Sequence, residues 1–178
     1  MKKNIVSIIL TSLCFLFQST LFSQFQLGGI VPNLMVVILA TSGFLLGNRH
    51  GMWIGFAFGI ITDILFGQGQ IIGLYGILYM FVGYINGVLG NNLFPHDIKL
   101  PLFMIVLSDF AYSNVCFILF FVLRGKFNYF FFFKDVIMPE LIYTTVFACI
   151  IFPMVQSLFK RIDNYDAKHS GESYIAEE

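Results

Sequence analysis

Polar residues divide the chain into six apolar stretches, at about residues 5–23, 33–47, 51–66, 71–90, 100–123 and 135–159. About 20 apolar residues in a helix cross the roughly 30 Å hydrocarbon core of a bilayer, and shorter stretches can do so with flanking residues. The pattern predicts an all-α integral membrane protein, a six-transmembrane-helix bundle in residues 1–160. The polar tail at residues 161–178 is expected to be cytoplasmic and disordered.

Glycines repeat every fourth residue on the third stretch, at Gly51, Gly55 and Gly59, and Asp63 is the next step. This spacing places all four residues along one side of a helix. Small residues in such a stripe let helix backbones approach closely in lipid. The fourth stretch has a matching series, Tyr75, Tyr79 and Gly83. We therefore predict a close-packed hairpin with a turn at residues 67–70.

Asp63 is an acid near the C-terminal end of an apolar helix, where the helix dipole disfavours an anion. An intramembrane acid needs a partner, and a tyrosine hydroxyl, loop amides or a cation would serve. Two interpretations stay open. Asp63 either caps the turn or contributes to packing and partner binding.

Two further acids lie in the last two stretches. Asp109 shares a helix face with Tyr112 and Ser113, so this face is expected to look into the bundle. A hydrogen-bonded cluster between helices is favoured there over a wet cavity. Pro139 and Glu140 are placed in the first turns of the last helix, where proline costs little and the dipole favours a carboxylate.

Composition limits the class of protein. The 178 residues are 58% hydrophobic and only 11% charged, with a mean hydropathy of +0.84, which excludes an ordinary soluble domain. The net charge is zero, so no nucleic-acid partner is expected. The three cysteines stand singly in apolar runs, and the sequence has no nucleophile, metal-ligand or phosphate-loop motif. We predict no catalytic residue, no metal and no cofactor.

The positive charges favour one orientation. With the N-terminus in the cytoplasm, the inner set holds seven basic residues, Lys2, Lys3, Arg49, Lys99, Lys160, Arg161 and Lys168. The outer set holds three, Arg124, Lys126 and Lys134. Cytoplasmic loops carry the excess of Lys and Arg, so both termini are predicted to be cytoplasmic. The first stretch resembles a signal peptide after Lys2 and Lys3, but no small-residue cleavage site follows, and an uncleaved span is favoured.

An ordered set of short patterns resembles the bacterial rod shape-determining protein MreD family. The set comprises Pro32-Asn33, the glycine stripe ending in Asp63, Gly73-Leu74-Tyr75 with Tyr79, Gly83-Tyr84, and Pro139-Glu140 before Tyr143. The similarity covers about residues 32–159. It implies a multi-pass protein of the bacterial inner membrane that belongs to the cell-wall elongation complex, the elongasome.

The resemblance also implies partners and a fold. MreC would be the direct partner, with the actin-like MreB and the peptidoglycan synthases in the same complex and membrane lipid around the bundle. A homo-oligomer is left open. The implied fold is similar to the substrate-binding (S) subunits of energy-coupling-factor transporters, and the implied function is a non-enzymatic scaffold for cell shape. Under this hypothesis, Asp63 fixes a geometry that MreC recognises.

The alternative is that the chain is itself a substrate-binding subunit of a vitamin importer. Such a subunit would be expected to carry alanines four residues apart in its first span. This span has Ser7 and Thr11 instead and contains no alanine. The scaffold is therefore favoured over the importer subunit, and an intramembrane enzyme comes last.

Overall fold

The computed structural model describes residues 2–24, 30–67, 73–92, 98–120 and 129–175. Helices account for nearly all of this part. They are α1 (Lys2–Gln24), α2 (Leu34–Leu46), α3 (Asn48–Phe66), α4 (Leu74–Asn92), α5 (Lys99–Phe120), the single turn α6 (Tyr129–Phe132) and α7 (Met138–Ile175). A π-helical segment, Phe133–Ile137, joins α6 to α7 without a break. The predicted all-helical architecture is confirmed.

The centre of the bundle is α2. Its sequence, LMVVILATSGFLL, has no charged residue, and its first eleven residues are all buried. It contacts α1, α3, α4, α5 and α7. A helix that is apolar on every side has no face to offer water, so it is placed where other helices can cover it completely. Asn33 begins it as N-cap, its side chain accepting a hydrogen bond from the Val36 N–H.

The most extensive helix contact joins α3 to α4. It follows the glycine stripe, because a Cβ atom built on Gly51, Gly55 or Gly59 would lie 2.3–2.5 Å from the nearest backbone atom of α4. A side chain on any of these residues would therefore separate the two helices. The helix α4 also packs closely on α2 at Gly83, since a Cβ atom built on Gly43 would lie 2.2 Å from the Gly83 carbonyl oxygen.

The last helix begins earlier than the sequence indicates. Helix starts at Tyr129 and passes through the π-helical turn before Pro139. Proline cannot donate a backbone hydrogen bond, and its ring collides with the carbonyl four residues before it. The wider turn avoids this conflict, and the Met138 N–H bonds the Phe133 carbonyl, five residues back. Glu140 therefore lies inside a continuous helix, and the predicted benefit from a helix N-terminus does not apply to it.

Three segments of the described chain are long and apolar enough to cross a membrane, Lys2–Thr20, Lys99–Leu119 and Tyr129–Asp166. The helix α2 has 13 residues, which is about 20 Å of helix and less than the hydrocarbon thickness. Helices α3 and α4 have 19 residues each. The three long segments support a membrane protein, and the six-span topology stays a prediction.

The tail differs from its prediction. It was expected to be disordered from residue 161, but α7 remains helical as far as Ile175. Two ion pairs fasten its beginning to α1, since the Lys2 ammonium contacts the Asp166 carboxylate at 2.6 Å and Lys3 pairs with Asp163. A polar composition predicts disorder for an isolated segment, but here α1 lies alongside and supplies the basic partners.

Candidate functional site

The carboxylate of Asp63 holds the first turn of α4. Its Oδ2 accepts hydrogen bonds from the N–H groups of Gly73 (3.1 Å) and Gly76 (3.0 Å), and its Oδ1 accepts one from the Tyr75 N–H (3.3 Å). The residue is buried, with 4% of its surface exposed. Backbone amides are thus the partner of this acid, one of the three types of partner that its sequence position predicts.

The electrostatics of Asp63 involve two helices rather than one. The C-terminal end of α3 disfavours the anion, but the N-terminal end of α4 favours it and supplies unpaired N–H groups. Gly73 turns the chain into α4 at a φ of 101°, a conformation that glycine adopts readily. The side chain therefore ties the two helices together at the end of the hairpin where α3 finishes.

Three tyrosines in successive ring contact extend from the Asp63 site towards the interior of the bundle. The rings of Tyr75 and Tyr79 lie 6.2 Å apart, and Tyr79 stacks on Tyr112 of α5 at 5.6 Å. Tyr79 is 3% exposed. The predicted series Tyr75, Tyr79 and Gly83 thus lies partly against the glycines of α3 and partly against α5. Tyr112 packs on Tyr79 across the bundle and is not a partner of Asp109 along its own helix.

The acid Asp109 faces the bundle, as its helix pattern predicted, and is completely buried. Its neighbours include Asn33, Glu140 and Thr144, from the beginning of α2 and from α7. Neither carboxyl oxygen makes a hydrogen bond with the described residues. Ser113, which lies on the same face of α5, donates its hydroxyl hydrogen to Glu140 Oε2 of α7 at 3.2 Å. A hydrogen bond thus joins α5 to α7 through Ser113 and Glu140, and Asp109 makes none with the residues that the structure describes.

The sequence-predicted residues form two groups. One comprises the α3–α4 hairpin, with Gly51, Gly55, Gly59, Asp63, Tyr75, Tyr79 and Gly83. The other lies between α5 and α7, with Asp109, Pro139 and Glu140. Whether either group binds a partner protein remains a prediction.

Several polar residues of the site were not predicted. Gln18 Oε1 accepts the Met35 N–H, and Thr144 Oγ1 accepts the Asn33 N–H, so both satisfy amides at the beginning of α2. Asn86 donates to Ser108 Oγ and so links α4 to α5. The available signal was a single polar residue within an apolar helix, which in lipid must find a partner inside the bundle.

The chain can be placed among known proteins through one comparison. A family model described as rod shape-determining protein MreD matches residues 1–162. No curated protein and no solved structure matches the chain, so the likeness to S subunits of importers stays a prediction. The match covers α1 to α6 and α7 as far as Ile162. The chain belongs to the MreD family, and its role is in rod shape determination.

Proposed function

We propose that the protein is a non-enzymatic scaffold of the cell-wall elongation complex that binds MreC. In this proposal it lies in the bacterial inner membrane with six spans and both termini in the cytoplasm. MreB and the peptidoglycan synthases belong to the same complex. The observation that carries the proposal is the family match over residues 1–162. The match favours this function over that of an importer subunit.

The construction of the α3–α4 hairpin supports a scaffold. Glycines bring the two backbones into contact along the whole interface, and Asp63 ties the end of α3 to the beginning of α4. Such an interface leaves few alternative arrangements, because interiors are close-packed and a displaced backbone must disturb many contacts at once. A rigid hairpin presents a constant surface to another membrane protein.

The glycines themselves are not available to that partner. Gly51, Gly55, Gly59 and Gly83 are all buried between helices. Asp63 is likewise occupied by the amides of α4. We propose that these residues act on MreC binding indirectly, by fixing the relative position of α3 and α4.

A pair of substitutions on α3 tests this proposal. In Gly55→Leu the new side chain begins 2.3 Å from the Tyr79 carbonyl oxygen, so the helices must separate. Overpacking of this kind costs about 1–3 kcal/mol. Ala57→Leu adds a larger side chain two residues away, on an exposed position of the same helix. The variants are compared in affinity purification of MreC from membranes containing equal amounts of each variant, and in the shape of cells that depend on them.

We expect Gly55→Leu to recover less MreC than the wild type and to give rounded cells, whereas Ala57→Leu retains both properties. Should Gly55→Leu not accumulate in the membrane, Gly55→Ala makes the same contact with one methyl group. Full recovery of MreC with either Gly55 variant, in cells that stay rod-shaped, would show that the hairpin geometry is irrelevant to the partner.

A further inference from the structure

A cavity of about 310 Å³ lies at the end of the bundle where α1 and α3 finish and α2 and α4 begin. Ten described residues line it, and they come from α1, α2, α3, α4, α5 and the segment before α2. Ligand sites are typically concave, of about 300–1,000 Å³, and lined by apolar and aromatic groups with a few polar ones. The volume is at the lower end of this range, so any ligand is small.

The walls of the cavity are mainly aromatic rings. Phe15 and Phe66 lie 6.1 Å apart between centroids, with their planes inclined at 59°. The Tyr75 ring is tilted by 49° against that of Tyr79, and Tyr79 in turn stacks on Tyr112. Ring faces and edges attract other flat rings more strongly than their area alone accounts for, by about 0.5–1.5 kcal/mol per pair. A planar ligand makes more contact with these aromatic rings than a puckered ligand of equal size.

No charged side chain is among the ten described lining residues. The carboxylate of Asp63 bonds the Tyr75 N–H close by, but both its oxygens are already used by amides of α4. Moving an ion into such a site without a counter-charge costs several kcal/mol. The ligand is therefore uncharged.

One polar group of the lining has hydrogen-bond donors to spare. Gln18 uses its Oε1 to accept the Met35 N–H at 2.9 Å, which fixes the carboxamide and leaves its two Nε2 hydrogens without a bond to the described residues. The hydroxyls of Ser19 and Thr62 donate to carbonyls of their own helices. A ligand that presents an acceptor such as a carbonyl oxygen satisfies Gln18.

We propose that this cavity is a binding site for a small, neutral, planar ring compound that carries a hydrogen-bond acceptor. Neither the scaffold role nor MreC binding requires such a site, so the test of this proposal is independent of both. It adds a small-molecule partner to a protein whose family role concerns cell shape.

Coumarin, a neutral two-ring lactone, is a suitable probe. Its binding to the purified full-length protein in detergent is measured by titration calorimetry, with protein-free micelles as the blank. Octahydrocoumarin keeps the lactone but is not planar, and coumarin-3-carboxylate keeps the rings but is an anion. Ser19→Phe places a ring in the cavity, whereas Ser12→Phe makes the same change elsewhere on α1.

We expect saturable binding of one coumarin per chain, weakened at least about tenfold by Ser19→Phe and changed by less than about twofold by Ser12→Phe. Octahydrocoumarin and the carboxylate should each bind at least about tenfold more weakly than coumarin. If Ser19→Phe does not fold, Val31→Phe fills the cavity from the segment before α2. Absence of saturable binding, or equal affinity of the filled variant, overturns the site. Equal affinity of either analogue overturns the ligand class.

Discussion

Replacing Asp63 with alanine removes the acceptor of three backbone N–H groups at the beginning of α4. Alanine has no polar atom to replace it. The N–H of Gly76 is in a buried position and so has no access to water, whereas those of Gly73 and Tyr75 are only partly buried. The free-energy cost of losing the acceptor therefore differs among the three N–H groups, and most of it comes from the N–H of Gly76.

The magnitude follows from these contacts. A buried donor that loses its partner costs about 1–3 kcal/mol. Loss of the anion at the α4 N-terminus adds about 0.3–1 kcal/mol. The sum is roughly 1.3–4 kcal/mol, before any relief from movement of the turn. For a chain of this size, each kcal/mol lowers the unfolding midpoint by about 2–4 °C, so a decrease of about 3–16 °C is expected.

The assay is thermal unfolding of the purified variants in one detergent, followed by loss of helical signal. Asp63→Asn retains one oxygen acceptor, so its midpoint is expected between those of the wild type and Asp63→Ala. Asp135→Ala is the control, because it removes an exposed acid that makes no hydrogen bond with the described residues. Its midpoint is expected within about 2 °C of the wild type. Equal midpoints for the two alanine variants would refute the assignment of Asp63 as the cap of α4.

Two further predictions concern topology and Asp109. Alkaline phosphatase fused after Gln70 or Lys126 is expected to be active, and after His96 or Arg161 inactive, because the basic residues favour cytoplasmic termini; an active fusion after Arg161 would contradict the six-span orientation. Asp109→Asn is expected to unfold at the wild-type temperature or above, since a neutral amide replaces a buried carboxyl that makes no hydrogen bond with the described residues. Asp109→Leu places an apolar side chain next to the polar groups of Asn33, Glu140 and Thr144 and is expected to unfold below Asp109→Asn; the reverse order would mean that this cluster needs no polar group.

The helices themselves were predictable because their cause is local. Apolar stretches separated by polar residues predict helices in lipid, where each backbone N–H and C=O must be satisfied within its own segment. Glycines four residues apart predicted a close helix contact, and the structure has α3 and α4 in contact along that stripe. The set of short patterns also led to the correct family.

Tertiary structure decided what each polar side chain contacts. In the sequence, Asp63 lies at the C-terminal end of α3, where the helix dipole disfavours its negative charge. Only the placement of α4 supplies the three N–H groups that stabilise this charge. Asp109 shares a helix face with Tyr112 and Ser113, but α7 brings Glu140 to Ser113, and the Asp109 oxygens make no hydrogen bond with the described residues.

The same reasoning applies to the tail and to the cavity. The tail continues as helix beside Lys2 and Lys3, whose charges are about 160 residues away in sequence. Five helices must meet before the space between Phe15 and Tyr79 exists. Sequence determines which segments form helices because those hydrogen bonds join residues four apart, whereas contacts between helices depend on distances that only the folded bundle fixes.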